Sequence, residues 1–258
     1  MNIDKAIRFN KYHVYIVGVG GTGARVARDF FGFAYSLKKT ESKDVIITLC
    51  DDDVVEPNNI LRQPFCPDDV GRFKSEVLAE RYSAAYDMDI HYRTRRIEDV
   101  DDLYSDLAKY NGYVPILVGC VDNIAARKIF HKVFKKFKSP FIWIDSGNSQ
   151  TSGQAIMGIR GNKGMTIFPC LTDLFPEILK QKDQENRVSC SNAPITNLKT
   201  MSQFLVTNMT AATVVVNFLT IIMFEMDINT HAVVFEISNI SVHPDLINYE
   251  ELIKSKVS

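Results

Sequence analysis

Apolar and polar positions fall in blocks along this chain, and their period switches repeatedly between that of a strand and that of a helix. Residues 12–19 (YHVYIVGV) form a short apolar run ending in glycines, the pattern of a buried strand. Over residues 22–37, Ala24, Ala27, Phe30, Phe31 and Ala34 recur on one side, which predicts a helix. Residues 45–50 (VIITLC) read as a second strand, stopped by Asp51, Asp52 and Asp53. A helix is expected over Val70–Tyr86, with Asp68 or Asp69 as its N-cap. Residues 114–121 (VPILVGCV) predict a strand, Ala125–Phe137 a helix and 141–145 (FIWID) another strand. This alternation implies an α/β, Rossmann-like fold with a mostly parallel sheet and helices on both faces.

Beyond Ser146 the pattern changes. Residues 153–168 suggest strand pairs broken by Gly158, Gly161 and Gly164, and 169–200 are polar and irregular, with three prolines. A long apolar helix is expected over Phe204–Met226, followed by strands over 231–237 and 239–244. No linker separates the halves, so residues 1–258 read as one domain, with 151–258 a lobe completing the half formed by 12–150. Phe204–Met226 meets the ~20-residue criterion for crossing a bilayer. Asn208, Asn217, several threonines and the lack of flanking cationic or Trp anchors predict instead a helix buried in protein, with a homodimer interface as one setting.

The formal net charge of −1 provides no global field to recruit nucleic acid or an anionic membrane. Five cysteines lie scattered with no CxxC pair, so the paired-thiolate spacing of a structural zinc site is missing. Their odd number suits a reducing compartment, and the first thirteen residues carry no secretory pattern; the expected setting is the cytoplasm.

Gly18-Val19-Gly20-Gly21-Thr22-Gly23 follows a strand and opens a helix, a context that gathers backbone N–H groups around a phosphate. Dehydrogenases and ATP-binding enzymes share such a loop. The acidic end of the second strand can accept hydrogen bonds from ribose hydroxyls. The stretch EPNNILRQPFCPDDVGRFK then offers Asn59, Arg62, Gln63 and Lys74, and its cations favour a triphosphate, whose leaving pyrophosphate needs charge neutralisation. Asp122, just past the strand 114–121, is a hard carboxylate suited to Mg²⁺; it or Asn123 can also cap the next helix.

In this order, GVGGTG, DDDVVEPNNILRQ, DVGRFK and CVDNIAAR resemble the ThiF/MoeB/HesA family of ubiquitin-activating-enzyme-like adenylyltransferases, with residues 12–130 covered best. WIDSGNSQTSGQAIMG (143–158) and RVSCSN (187–192) are further similar to the ThiF-type proteins of bacterial PRTRC systems. The resemblance implies that Gly18, Gly20, Gly21 and Gly23 surround the phosphates of ATP, that Asp51 contacts the ribose with Asp53 beside it, and that Asn59, Arg62, Gln63 and Lys74 contact the triphosphate. It places Asp122 on the carboxylate associated with Mg²⁺. It also implies a ubiquitin-like or sulfur-carrier protein as the partner whose C-terminal carboxylate is adenylated. Arg62, Lys74 and Asp122 are the expected catalytic groups. Cys190, in the polar stretch NRVSCSNA, is a candidate thioester carrier beside Arg187, with Cys170 a weaker rival. Two other readings use the same loop, a non-catalytic nucleotide-binding module and a nicotinamide oxidoreductase. The latter leaves Arg62, Lys74 and Asp122 without a task.

Overall fold

The computed structural model describes residues 9–41, 43–60, 62–183, 198–224 and 226–246, with only the backbone described for 198–204 and 246. Five strands, β1 (Lys11–Val17), β2 (Asp44–Cys50), β3 (Ile90–Arg93), β4 (Val114–Gly119) and β5 (Phe141–Asn148), run parallel in the order β3-β2-β1-β4-β5. The sheet continues through antiparallel β6 (Ser152–Arg160), β8 (Thr230–Glu236) and β9 (Ser241–Leu246), while β7 (Thr166–Phe168) pairs with β6. Runs such as VYIV and PILV are apolar at every position because both faces of these central strands are covered.

Helix α1 (Gly23–Thr40), α2 (Lys74–Tyr86) and the long α6 (Leu198–Met223) cover one face. Helix α3 (Val100–Leu107), α4 (Ile124–Lys136) and the short α5 (Leu171–Leu174) cover the other. On α6, Ala211, Ala212, Val215, Phe218, Leu219 and Ile222 are buried, and the helix packs on α1, β5 and β6. Its apolar stretch Leu205–Met223 is long enough to cross a membrane, yet half of it is enclosed by the rest of the protein.

The sequence pattern placed most elements within a few residues, with three corrections. The helix expected over 70–86 begins only at Lys74, with Phe73 at its N-cap position. Asp68 and Asp69 lie instead in a 3₁₀ turn over Pro67–Asp69, where the Asp69 carboxylate accepts from Cys66 N–H and Arg81. Strand β3 and helix α3 appear in a stretch the periodicity left unassigned. Strand β5 runs on to Asn148 rather than ending at Asp145, which carries its tip to the functional edge of the sheet.

Candidate active site

The order β3-β2-β1-β4-β5 reverses direction between β1 and β4, and open α/β sheets bind ligands at the carboxyl ends of the strands flanking such a switch. The loop 18–22 leaves β1 there and the loop 120–123 leaves β4. The two are joined at their roots by Cys120 N–H donating to Val17 O at 2.8 Å, and Gly18 N–H ties the first loop to the end of β2 by donating to Cys50 O at 2.9 Å.

Two of the glycines are required by the backbone around them, and a Cβ on a third, Gly21, would lie 2.4 Å from Asn208 Nδ2. Gly18 has φ +84°, and a Cβ there would lie 2.5 Å from the Cys120 carbonyl oxygen; at Gly23 a Cβ would lie 1.8 Å from Gly18 O. Gly20 is the opposite case, because a Cβ on it would meet nothing within 4 Å. The loop is thus tight toward the protein and open toward the crevice. Thr22 occupies the N-cap position of α1 without a side-chain hydrogen bond to the helix. Its hydroxyl turns to Asn208 Oδ1 of α6, 3.1 Å away, and to Asn148 Oδ1 of β5 at 3.3 Å. Asn148 Nδ2 in turn donates to Asn208 Oδ1 at 3.0 Å. Arg25, buried, donates to Gly21 O at 2.6 Å. Ala24 N–H and Arg25 N–H donate to the Gly20 and Thr22 carbonyls, both at 3.0 Å, and Thr22 adds no side-chain cap at the start of α1.

Asp51 braces this loop. Its Oδ2 accepts from Val19 N–H and its Oδ1 from Asp53 N–H at 2.9 Å, while Ser75 Oγ donates to Asp51 O at 3.0 Å. Burial pushes the Asp51 carboxyl up to about 6, against the pull of Lys74 and the two amides. Lys74 is nearly inaccessible, and its Nζ reaches the exposed Asp53 carboxylate at 2.8 Å. Asn59, Arg62 and Gln63 share one buried turn, in which Arg62 N–H and Gln63 N–H both donate to Asn59 O and Asn59 Oδ1 accepts from Glu56 N–H. Asp122 lies exposed on the loop after β4, and Asn123 rather than Asp122 caps α4, accepting from Ala126 N–H at 2.8 Å.

The structure therefore joins Gly18, Gly20, Gly21, Gly23, Asp51, Asp53 and Lys74 in one chain of contacts. Asn59, Arg62 and Gln63 form a second group on a neighbouring turn, and Asp122 stands at the rim. Cys190 and Arg187 lie outside the described residues. Cys170 is fully buried and its thiol is pushed up to about 11 by that burial, which makes it a poor nucleophile at neutral pH. Sequence reasoning missed Asn148, Asn208 and the buried pair Arg127–Asp145, whose Nε–Oδ1 distance is 3.1 Å. Asn208 did carry a signal, as an amide in an otherwise apolar helix.

A glycine loop open at a topological switch, with a carboxylate braced on the next strand, is the arrangement at which open α/β domains bind nucleotides. The sequence profile of the ThiF family matches residues 3–250, and the chain belongs to that family. No curated protein matches it in sequence. Among solved structures it is similar to E. coli MccB determined with ATP (18% identity, TM-score 0.54, 95% of this chain and 66% of that one). It is also similar to PaaA (18%, TM-score 0.59, 95% and 66%) and to MccB determined with AMPCPP and selenomethionine MccA (18%, TM-score 0.54, 95% and 65%). The chain thus spans just under two thirds of the length of these proteins, and the likeness is one of fold.

Proposed function

We propose that the protein is an adenylyltransferase that uses ATP and Mg²⁺ to activate the C-terminal carboxylate of a ubiquitin-like or sulfur-carrier protein in the cytoplasm. The observation that carries this reading is the open Gly20 at the uncapped start of α1, flanked by the braced Asp51. Support comes from the ThiF family membership and from MccB, a similar fold determined with ATP and with MccA carrying selenomethionine, hence a polypeptide. The free cysteines among the described residues, Cys50, Cys66, Cys120 and Cys170, suit a reducing compartment.

In this reading the amides of residues 20–23 hold phosphate oxygens and Asp51 accepts from the ribose hydroxyls. Lys74 exchanges Asp53 for phosphate, and Arg62 adds a second cation. Asp122 would hold Mg²⁺, which when bound neutralises phosphate charge. A carboxylate oxygen of the protein tail bonds to the α-phosphorus, the bond to the bridging oxygen breaks, and pyrophosphate leaves. No side-chain nucleophile is needed, so catalysis is positioning and charge neutralisation. A homodimer belongs to the same proposal, with the exposed Val206 and Met209 of α6 available to it.

ATP–pyrophosphate exchange with candidate ubiquitin-like proteins tests the proposal. Exchange that falls by about 100-fold in a folded Asp122→Ala variant supports it. ATP binding without exchange identifies a non-catalytic module instead, and tighter binding of NAD than ATP an oxidoreductase. Loss of a reducible adduct in Cys190→Ser, with exchange retained, would extend the reaction to a thioester.

A further inference from the structure

Helix α3 is eight residues long and packs on α4 and β4. On that face of the sheet a cleft of about 590 Å³ is left beside it, floored by β1, β2 and β3 and walled by the end of α3 and the residues after it. The parallel register sets Tyr15, Thr48 and His91 side by side across the floor, and His13, two residues before Tyr15, shares their face. The alternate positions Ile47, Leu49 and Ile90 point the other way, into the core under α1 and α2. The sheet is therefore apolar on one face here and polar on the other, although β1 is buried on both.

The wall of the cleft is locked. Arg93 is engaged at every side-chain nitrogen, Nε donating to Arg95 O at 3.1 Å, Nη1 to Asp106 Oδ2 at 2.7 Å and Nη2 to Arg96 O at 2.8 Å. Asp106 Oδ2 also accepts from the Tyr15 hydroxyl at 2.7 Å. His13 is only 1% exposed. Its Nε2 lies 2.9 Å from Thr48 Oγ1, while Nδ1 makes no close hydrogen bond. Burial lowers its pKa to about 4, against the pull of the Leu107 carbonyl, so the ring stays neutral and hydrogen-bonding at neutral pH.

The rim is accessible and differently composed. The Arg95 side chain is 72% exposed and lies 3.6 Å from Asp102, which Arg93 already holds. Lys109 is exposed, its Nζ 5.2 Å from the centre of the Tyr110 ring. Asp89 is the opposing exposed carboxylate, 3.8 Å from His91 Nδ1. The His91 and Tyr110 rings are parallel to within 16°, with centroids 5.9 Å apart, and Tyr110 meets His13 edge-on at 4.8 Å. Protection of an edge strand accounts for the charges on β3. It does not account for His13 and Tyr15 buried beneath them, nor for the aromatic pair that spans from β3 to the end of α3.

We propose that this cleft binds a small planar aromatic ligand carrying one phosphate or carboxylate group. The ring stacks on the His91–Tyr110 pair, Arg95 and Lys109 supply the cations for the anion, and Thr48 meets a polar edge of the ring. The volume falls within the range of small-molecule sites. The cleft lies on the face of the sheet opposite α1, so it stands or falls independently of adenylation.

The test uses the full chain, with uridine monophosphate and 4-hydroxybenzoate as the phosphate and carboxylate probes. Calorimetry should show one equivalent of the preferred probe per chain, and the tighter of the two identifies the anion. With five histidines in the chain, their ring-proton resonances can be followed one by one, and that of His91 should move on addition of the probe. Arg95→Glu and Lys109→Glu, both at exposed positions where folding is not at risk, should each weaken binding about tenfold, and Tyr110→Leu about fivefold. Gly20→Val should leave it unchanged, which separates the cleft from the α1 crevice. No binding of either probe up to about 10 mM, or binding that the two charge reversals leave unaltered or that Gly20→Val abolishes, would mark the cleft as a solvated sheet edge and overturn the proposal.

Discussion

Helices α1 and α4 both begin at the carboxyl ends of adjacent parallel strands, β1 and β4, and their first turns are treated in opposite ways. At α4 the exposed amides are satisfied from within. Asn123 accepts from Ala126 N–H, and the Asp183 carboxylate accepts from Ile124 N–H at 2.5 Å and Ala125 N–H at 3.0 Å. At α1 the residue in the same position, Thr22, turns its hydroxyl to Asn148 and Asn208, and the loop before it is glycine-rich. Every helix start is a site of partial positive charge. One of these two is capped by side chains of the chain itself; the other has no side-chain cap, and in the proposed reading an anion from outside takes that place.

The largest expected effect is at Gly23. A methyl there collides with Gly18 O, so Gly23→Ala should cost about 4 kcal/mol or more and lower both stability and nucleotide binding, read by denaturant melts and calorimetry. Gly20→Val separates the two, because its side chain enters open space. Its melting temperature should stay near that of the unmodified chain while ATP affinity drops roughly 100-fold, the scale of a lost set of charge-assisted contacts. Unchanged affinity in that variant would break the comparison, since the crevice side of the loop would then not be where phosphate binds.

Acidity should act next. The Asp51 carboxyl, raised to about 6, protonates below that pH and ceases to accept from the ribose, so ATP affinity at pH 5 should be about tenfold lower than at pH 7. Stability from this group moves the other way. Its folded pKa lies above the ordinary carboxylate value, so ionisation costs stability above pH 6, and that cost fades as pH falls toward about 4. Asp51→Asn should flatten both profiles. At α4, Asn123→Ala should remove about 1 kcal/mol and lower the melting temperature by about 2–4 °C, with ATP affinity unaltered. Asp183→Asn should cost less, a few tenths of a kcal/mol, because the residue is exposed.

The two starts also differ in how legible they were. GVGGTG announces the α1 loop because the glycines are contiguous and the flanking periods are clean. The filling of α4 was half legible, since Asn123 is local, whereas Asp183 arrives from 58 and 59 positions away. Strands β1, β2, β4 and β5 were readable as apolar runs. Strand β3 (IHYR) was not, because a four-residue edge strand with polar side chains has no distinctive period. Helix α3 is eight residues long and charged, although Asp99 does cap it by accepting from Asp101 and Asp102 N–H. At the candidate site, Asp51 was legible as the acidic end of the second strand and Lys74 as a cation in the stretch that follows it. Asn148 and Asn208 were missed because their role exists only once distant segments meet.

The meeting of Thr22 with Asn148 and Asn208 has a consequence for the protein's birth. These contacts join residues 126 and 186 positions apart. At a synthesis rate of about 5–20 residues per second, Asn208 is polymerised on the order of ten to forty seconds after Thr22. Asn148 arrives about two thirds of the way through that interval, and until Asn208 follows, Thr22 lacks its partner on α6, on a nascent chain whose sheet still lacks β8 and β9. Closure of the Thr22–Asn148–Asn208 contacts thereby waits for the synthesis of α6, and a ribosome stalled ahead of α6 would display the loop but not the finished cradle.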